Sequence, residues 1–227
     1  KLLFELIEKA EDTEFGKKYM FSKIRTYRDF ASQVPVHSYE QMTPYIEKTM
    51  KGKQNVLWPS EIIWFSKSSG TTSSRSKYIP VSEESLEDCH FKGGKDMLSL
   101  YVGNYPDSKL FTGKSLSIGG SLSKNPFNGE SESQVGDISA VIMHNLPLWV
   151  QFARTPSLDV ALMGEWEAKI ERMAQEVMDE NVVSIAGVPT WTIVLIQRIL
   201  ELKNARNILE VWPNLEVFFH GAVAFGP

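Results

Sequence analysis

The segment from Lys67 to Lys77 carries the clearest chemical signature in the sequence, and its letters read KSSGTTSSRSK. Small residues let backbone N–H groups approach an anion, and hydroxyls can donate hydrogen bonds to phosphate oxygens. Lys67, Arg75 and Lys77 add positive charge. The pattern predicts a phosphate-binding loop, and a solvated Ser/Thr-rich hairpin tip is the alternative interpretation of the same composition.

This loop departs from the P-loop sequence. In the pattern G-x-x-x-x-G-K-[ST], the second glycine would stand five positions after Gly70, and that position is Arg75. The histidines have no metal-ligand spacing. Cys89 and His90 are adjacent in a predicted helix, where neighbouring side chains do not face each other. We therefore assign no metal ligand and no Cys–His couple.

The elements predicted around the loop form a β-hairpin. Glu61–Ser66 is rich in β-formers and Tyr78–Val81 is a second strand-like run, so Ile62–Val81 is predicted as two strands with the loop between them. Ser82 is a suitable N-cap for a predicted helix over 83–100. Such a hairpin would hold the two ends of the loop together.

The remainder of the chain alternates strands with helices. The predicted strands are Lys114–Ile118, Val182–Ile185 and Leu215–Phe219, and the predicted helices include Ser157–Asn181 and Pro189–Lys203. The alternation favours an α/β fold with layered sheets, flanking helices and parallel pairing. Ligands of such sheets bind at loops beyond the carboxyl ends of strands. Gly119–Ser121 and Gly187–Pro189 follow strand-like runs and could line such a cleft.

Two segments are predicted to place polar side chains at the protein surface. Asn125–Asp137 is predicted to be a polar excursion over the surface. The helix over Ser157–Asn181 is predicted to be amphipathic. Its buried face would carry Leu162, Trp166, Ile170, Met173 and Val177, and its solvent face Glu165, Lys169, Arg172 and Glu176.

Composition excludes several classes of protein. The 227 residues include 24 Lys and Arg against 28 Asp and Glu, and the net charge of −4 argues against a general nucleic-acid or membrane-surface binder. The most apolar stretch, Trp191–Leu202, is interrupted by charged side chains and is too short to span a membrane. Cys89 is the only cysteine, so no internal disulfide can form and a cytoplasmic location is expected.

The loop resembles the first nucleotide-binding motif of the adenylate-forming superfamily. Ser68–Thr72 followed by Lys77 is similar to that motif, whereas Ser73–Ser76 replaces its usual glycine and proline. This difference is similar to the acyl-acid amido synthetases of the auxin-responsive promoter family, whose loop has Ser-Ser-Gly-Thr, a variable stretch and Lys. Further similarities lie at Val34–Glu40 with Pro44–Ile46, Gly119–Ser121, Gly187–Pro189 and Trp212–Asn214 leading to Gly221–Ala222.

The resemblance implies ATP-dependent activation of a carboxylic acid as an acyl-adenylate, followed by amide formation with an amino acid or amine. ATP and Mg²⁺ are the implied cofactors, with the ion between phosphate oxygens. The implied phosphate-binding residues are Ser68, Ser69, Gly70, Thr71, Thr72 and Lys77. The implied adenine and acyl pocket includes Gly221, Ala222, Val223 and Ala224, with Gly120 and Ser121 as candidates for the border of the acyl pocket.

The resemblance also implies that these residues are only part of a longer protein. Residues 1–227 are expected to form an incomplete N-terminal adenylation domain, with the C-terminal domain absent from this chain and the fragment alone inactive. No catalytic residue is assigned within the chain. An acyl-CoA ligase of the same superfamily and a non-catalytic nucleotide-binding module are the alternatives. The expected partners are the acid and the amine or amino-acid acceptor, with no nucleic acid or membrane, and the complete protein is expected to be a monomer.

Overall fold

The computed structural model describes residues 1–68, 76–128 and 132–221. The chain divides into two units. The first consists of Lys1–Glu87 with Ser123–Val135, and the second consists of Asp88–Leu122 with Gly136–Pro227. Each unit contributes a four-stranded sheet with flanking helices, which is the layered α/β architecture predicted from the sequence.

The secondary structure bounds are as follows. The helices are α1 (Leu2–Ala10), α2 (Glu14–Lys18), α3 (Tyr27–Gln33), α4 (Tyr39–Met50), α5 (Glu83–Ser85), α6 (Lys92–Asn104), α7 (Ile138–Asn145), α8 (Leu148–Ala153), α9 (Leu158–Ala161), α10 (Trp166–Val177), α11 (Pro189–Lys203) and α12 (Ile208–Val211). A 3₁₀ turn lies at Phe21–Lys23, and a π-helical segment, Leu86–Phe91, joins α5 to α6. The strands are β1 (Trp64–Lys67), β2 (Tyr78–Val81), β3 (Lys114–Ser117), β4 (Leu122–Lys124), β5 (Gln134–Gly136), β6 (Arg154–Thr155), β7 (Val182–Gly187) and β8 (Val217–His220).

The sheet of the first unit has the strand order β2-β1-β5-β4, so β2 is an edge strand. β1 and β2 pair antiparallel, with Trp64 opposite Val81 and Lys67 opposite Tyr78. The predicted hairpin is therefore confirmed. β2 has the predicted bounds, and β1 begins later than the apolar run suggested.

Helix α4 packs against this sheet and is held at its start by a capping box. The Ser38 hydroxyl accepts from the Gln41 N–H, and the Gln41 side chain accepts from the Ser38 N–H. Pro44 lies inside the helix without ending it. Ile46 and Met50 of α4 join the buried cluster around Phe65.

The prediction for Asn125–Asp137 was wrong in part, because Gln134–Gly136 forms β5 inside the sheet. Asn125 is buried, and its side-chain amide donates to the Met50 carbonyl at 2.7 Å and to the Ser133 hydroxyl at 2.9 Å. A buried polar side chain is stable when its hydrogen bonds are satisfied in this way. Asn125 and Ser133 therefore belong to an internal network, whereas Pro126, Phe127 and Glu132 are exposed as predicted.

The sheet of the second unit is parallel, as predicted, with the order β6-β3-β7-β8. Its buried cluster includes Leu116 and Ile185 from the sheet. The helix α11 has the predicted bounds of Pro189–Lys203, with proline at its first position, where the missing N–H costs no intrahelical bond. Among the described residues, no helix combines the length and apolar character that a membrane span needs.

The single helix predicted over Ser157–Asn181 is divided into α9 and α10. Glu165 caps the second helix, since its carboxylate accepts from the N–H groups of Glu167 and Ala168 at 3.1 and 2.6 Å. Apolar periodicity continues across the break and therefore concealed this new helix start. The packing face was predicted correctly at Ile170, Met173 and Val177, which are buried.

Candidate functional site

The neck of the predicted phosphate-binding loop lies in the first unit, where Ser68 and Lys77 face each other beyond the hairpin. The Ser68 N–H donates to the Lys77 carbonyl at 2.9 Å, and the Lys77 N–H donates to the Ser68 hydroxyl at 3.0 Å. The first bond continues the β1–β2 backbone pairing by one step, and the second adds a side-chain contact across it. Ser68 and Lys77 are thus brought together, while Ser69, Gly70, Thr71 and Thr72 lie outside the described residues.

The Lys77 side chain is exposed, and its ammonium lies 5.1 Å from the centroid of the Tyr39 ring. Glu40 is the next residue on α4. Hydrogen bonds from its own backbone and from Ser38, together with the charge of Lys77, hold the pKa of Glu40 below its ordinary value. No carboxylate of the described residues lies within 4.0 Å of the Lys77 ammonium.

The second predicted feature, Gly119–Ser121, forms a turn at the carboxyl end of β3 in the second unit. The Gly120 N–H donates to the Ser139 hydroxyl at 3.1 Å. A Cβ atom on Gly120 would lie 1.8 Å from the Asp137 carboxylate, so a larger residue does not fit without a shift. This glycine therefore permits the close approach of the Asp137 side chain.

Lys169 holds the same turn from α10. It is 1% exposed, and its ammonium donates to the carbonyls of Gly119 at 2.7 Å and Gly120 at 2.9 Å. Burial lowers the pKa of Lys169 to about 8, and the Asp137 charge opposes part of that shift. The prediction that Lys169 lies on the solvent face of the helix was therefore wrong.

A signal for this burial was present in the sequence. Lys169 is three residues after Trp166 and four before Met173, so it lies within the apolar stripe of the helix. A lysine in that stripe needs polar partners inside the protein. The carbonyls of a tight glycine turn meet that need, but their position depends on the tertiary fold.

Gly221 follows β8 and is exposed, and a Cβ atom there would meet no atom of the described part of the chain within 4 Å. Because β3 and β8 both pair with β7, Gly119, Val188 and Gly221 follow three neighbouring parallel strands at their carboxyl ends. The sheet therefore brings the Gly120 turn and Gly221 to one edge. Ala222, Val223 and Ala224 lie outside the described residues.

Two cavities in the described part of the chain lie away from the predicted site residues. In the first unit, a cavity of about 270 Å³ is lined by residues that include Trp58, Pro80 and Ser85, and its lining does not include Ser68 or Lys77. In the second unit, a groove of about 540 Å³ is lined by residues that include Phe111, Trp149 and Phe152. The latter lies by Gly113 and Asn181, at the amino ends of β3 and β7, away from the Gly120 turn.

The fold is that of the acyl acid amido synthetases. The solved structure of AtGH3.15 acyl acid amido synthetase in complex with 2,4-DB matches 88% of this chain with a TM-score of 0.65 at 20% identity. Another structure of GH3.15 acyl acid amido synthetase matches with a TM-score of 0.67 at 18% identity. The chain covers 34% and 35% of those two chains.

Sequence comparison gives the family. The N-terminal domain of the GH3 family matches residues 1–227, and the chain belongs to this family. The indole-3-acetic acid-amido synthetase GH3.2 of Arabidopsis thaliana is 32% identical over 88 residues, which is 38% of this chain and 16% of that protein. The indole-3-acetic acid-amido synthetase GH3.4 of the same plant is 28% identical over 133 residues, or 56% of this chain and 22% of its own length. The resemblance to acyl-acid amido synthetases is thereby confirmed.

Proposed function

We propose that this chain is the nucleotide-binding part of an enzyme that activates a carboxylic acid with ATP and joins it to an amino acid or amine. The observation that carries the proposal is the Ser68–Lys77 neck, which fixes both ends of a hydroxyl-rich loop. The Lys77 ammonium at this neck forms no ion pair with a carboxylate of the described residues. Membership of a family whose relatives are named amido synthetases supports amide formation over thioester formation.

The acid must be activated before an amine can attack it, because a carboxylate is a poor electrophile at neutral pH. A carboxylate oxygen attacks the α-phosphorus of ATP, the bond to pyrophosphate breaks, and an acyl-adenylate forms. The amine nitrogen then attacks the acyl carbon, AMP leaves and the amine loses a proton. The loop's task is to neutralise charge on the β- and γ-phosphates as pyrophosphate departs.

Different residues are proposed to take different parts of this task. Ser68, Ser69, Thr71 and Thr72 donate to phosphate oxygens, Gly70 permits close approach and Lys77 supplies charge. Gly221 with Ala222, Val223 and Ala224 leaves room for the adenine and acyl groups, and Gly120 with Ser121 borders the acyl group.

Mg²⁺ is proposed to accompany ATP. Among the described residues, no group of three carboxylate, histidine or cysteine side chains is close enough to hold a metal ion. Phosphate oxygens of ATP are suitable ligands for Mg²⁺, which prefers oxygen. When bound, the ion neutralises phosphate charge.

Replacement of Lys77 in the complete protein tests the proposal. We expect Lys77→Ala to lower acid-dependent pyrophosphate exchange at least about tenfold and to raise the KM for ATP, because a charged hydrogen bond to phosphate is lost. Lys51→Ala, which removes an exposed lysine at the end of α4, is the matched control and should change neither value. Unchanged exchange in Lys77→Ala would refute the assignment.

The proposal includes a limit on this chain alone. We propose that residues 1–227 bind ATP weakly and do not complete turnover, since the chain covers about a third of the solved relatives. Acid-dependent pyrophosphate exchange by the 227-residue chain at the rate of the complete enzyme would contradict this.

The proposed setting is a monomeric enzyme in the cytoplasm. Cys89 is free and exposed, which suits a reducing compartment. Light scattering of the complete protein tests the monomer, and fluorescence microscopy of a tagged complete protein tests the compartment.

A further inference from the structure

The edge strand β2 leaves two backbone groups of Tyr78 facing away from the hairpin. Ser68 and Lys77 exchange hydrogen bonds across the neck, so the next pair, Lys67 and Tyr78, is of the non-hydrogen-bonded kind. Because β2 is at the edge of the sheet, no further strand of the described residues pairs with the Tyr78 N–H and carbonyl.

One side chain satisfies both groups. The Tyr39 hydroxyl accepts from the Tyr78 N–H at 2.7 Å and donates to the Tyr78 carbonyl at 3.2 Å. A phenol has one donor and can accept as well, so the two bonds are compatible. Tyr78 directly follows Lys77, and the hydroxyl therefore fixes the backbone at the point where the loop returns to the sheet.

The aromatic ring of Tyr39 also contacts the Lys77 ammonium. The Lys77 ammonium lies 5.1 Å from the Tyr39 ring centroid, within the range of a cation–π interaction. Tyr39 is half-buried and packs against the cluster around Phe65, so its position does not depend on Lys77. Its backbone is fixed as the first residue of α4, after the Ser38 capping box.

From this geometry we infer that Tyr39 is a positioning residue for the phosphate-binding loop: its hydroxyl fixes the backbone at Tyr78, and its ring holds the ammonium of Lys77. The inference rests on the proposed function of the loop. Tyr39 acts on ATP through Lys77, and it is not required to contact the acid or the amine.

Two variants of the complete protein separate the hydroxyl from the ring. Tyr39→Phe removes both hydrogen bonds and keeps the ring, and we expect it to raise the KM for ATP about three- to tenfold. Tyr39→Leu removes the ring as well, and a further increase of about two- to fivefold is expected. The KM for the acid should stay the same in both variants, whereas general damage to the fold would also alter it.

Tyr27→Phe is the matched control. Tyr27 is the first residue of α3 and follows a capping box at Thr26, as Tyr39 follows one at Ser38, but its side chain is 71% exposed. Removing the Tyr27 hydroxyl should leave the KM for ATP and the KM for the acid unchanged. Direct calorimetric titration with ATP and with pyrophosphate provides a second measurement that does not depend on turnover.

Lys77→Ala separates failure of this inference from failure of the proposed function. In the Lys77→Ala background, replacing Tyr39 by Leu should weaken ATP binding no more than replacing it by Phe, because the ring then has no charge to hold. If Lys77→Ala leaves ATP binding unchanged, the proposed function is wrong. If Lys77→Ala weakens binding and Tyr39→Phe does not, only the positioning role is wrong. Should Tyr39→Leu not fold, Tyr39→Phe alone decides the role of the hydroxyl.

Discussion

At the scale of single residues, the described parts of the site depend on side chains that hold backbone groups. Tyr39 binds the N–H and carbonyl of Tyr78, and Lys169 binds the carbonyls of Gly119 and Gly120. An unsatisfied buried polar group costs about 1–3 kcal/mol, so each of these side chains is expected to stabilise the backbone it contacts.

We expect Lys169→Met to lower the free energy of unfolding by about 1–3 kcal/mol, because two carbonyls lose their donor. Arg172→Met on the same helix is the control. Arg172 is largely exposed and its nearest acid, Asp159, is 3.9 Å away, so the expected change is below about 0.5 kcal/mol. Urea unfolding measures both variants, and equal effects would contradict the role of Lys169.

Lys169 also gives a prediction for pH. Its pKa is about 8 in the folded protein and 10.5 for an unperturbed lysine, so between those values the unfolded chain binds more protons. Stability attributable to Lys169 therefore rises as the pH increases from about 8 to about 10.5, and it is lost as the pH falls again. The difference in unfolding free energy between the wild type and Lys169→Met should grow across this range. A constant difference would mean that the pKa is not lowered.

The two glycines at the edge of the second sheet differ in the space around them. Gly120→Ala should lower the unfolding free energy by about 1–3 kcal/mol, since its Cβ would collide with Asp137. Gly221→Ala should leave stability unchanged or raise it by less than about 1 kcal/mol, because its Cβ would lie more than 4 Å from every atom in residues 1–68, 76–128 and 132–221 outside its own chain neighbours. Thermal unfolding of the two variants provides the comparison, and the reverse order of stability would be incompatible with the described turn.

At the scale of elements, α4 links helix capping to the loop. The Ser38 capping box fixes the first turn of α4, and Tyr39 is the first residue of that turn. Helix α3 has an equivalent box at Thr26, and its first residue, Tyr27, is 71% exposed. The two helices therefore offer a comparison within one chain.

Both Ser38→Ala and Thr26→Ala should lower the free energy of unfolding by about 1 kcal/mol, because each removes an N-cap. Only Ser38→Ala should also raise the KM for ATP, since only α4 carries Tyr39. Steady-state kinetics on the complete protein tests this difference. A rise in both variants would indicate a general effect of stability on ATP binding.

Elements fixed by local patterns could be predicted from the sequence. The strand Tyr78–Val81 and the helix Pro189–Lys203 have clear local boundaries, and both were found with the predicted bounds. Parallel pairing was also predicted, and Gly119 and Val188 do follow two neighbouring parallel strands. For these features, short-range chemistry and sheet geometry were sufficient.

Features that depend on distant partners could not be predicted in this way. Asn125 is buried because the Met50 carbonyl is beside it, and Lys169 is buried because two glycine carbonyls are within reach. The role of Tyr39 likewise depends on an edge strand far along the chain. Each side chain is polar or amphipathic, and its composition alone favours a surface position.

At the scale of the whole molecule, the predicted features are distributed over two units, each with its own sheet and core. The second unit also exposes apolar side chains on α8, a helix with no buried residue. Leu148, Trp149 and Phe152 are 82%, 73% and 80% exposed. Exposed apolar patches of this kind bind other apolar surfaces.

We expect the 227-residue chain to bind the dye ANS and to self-associate at high concentration through α8. Trp149→Ser combined with Phe152→Ser should reduce both effects while changing the free energy of unfolding by less than about 1 kcal/mol, because the two side chains are mostly exposed. Dye fluorescence and analytical ultracentrifugation measure the effects. Undiminished dye binding in the double variant would place the apolar surface elsewhere.

The strand order of the second sheet has a consequence for folding kinetics. The pairs Ser184–Val217 and Ser115–Arg154 close shorter stretches of chain than the pair Ser115–Ser184. Since short loops close at lower entropic cost, β7 with β8 and β3 with β6 are expected to form as separate nuclei. The pairing of β3 with β7 is then expected to form last. Pulse-labelled hydrogen exchange during refolding should accordingly protect the Val217–His220 amides that bond to β7 before the Lys114–Ser117 amides that bond to β7.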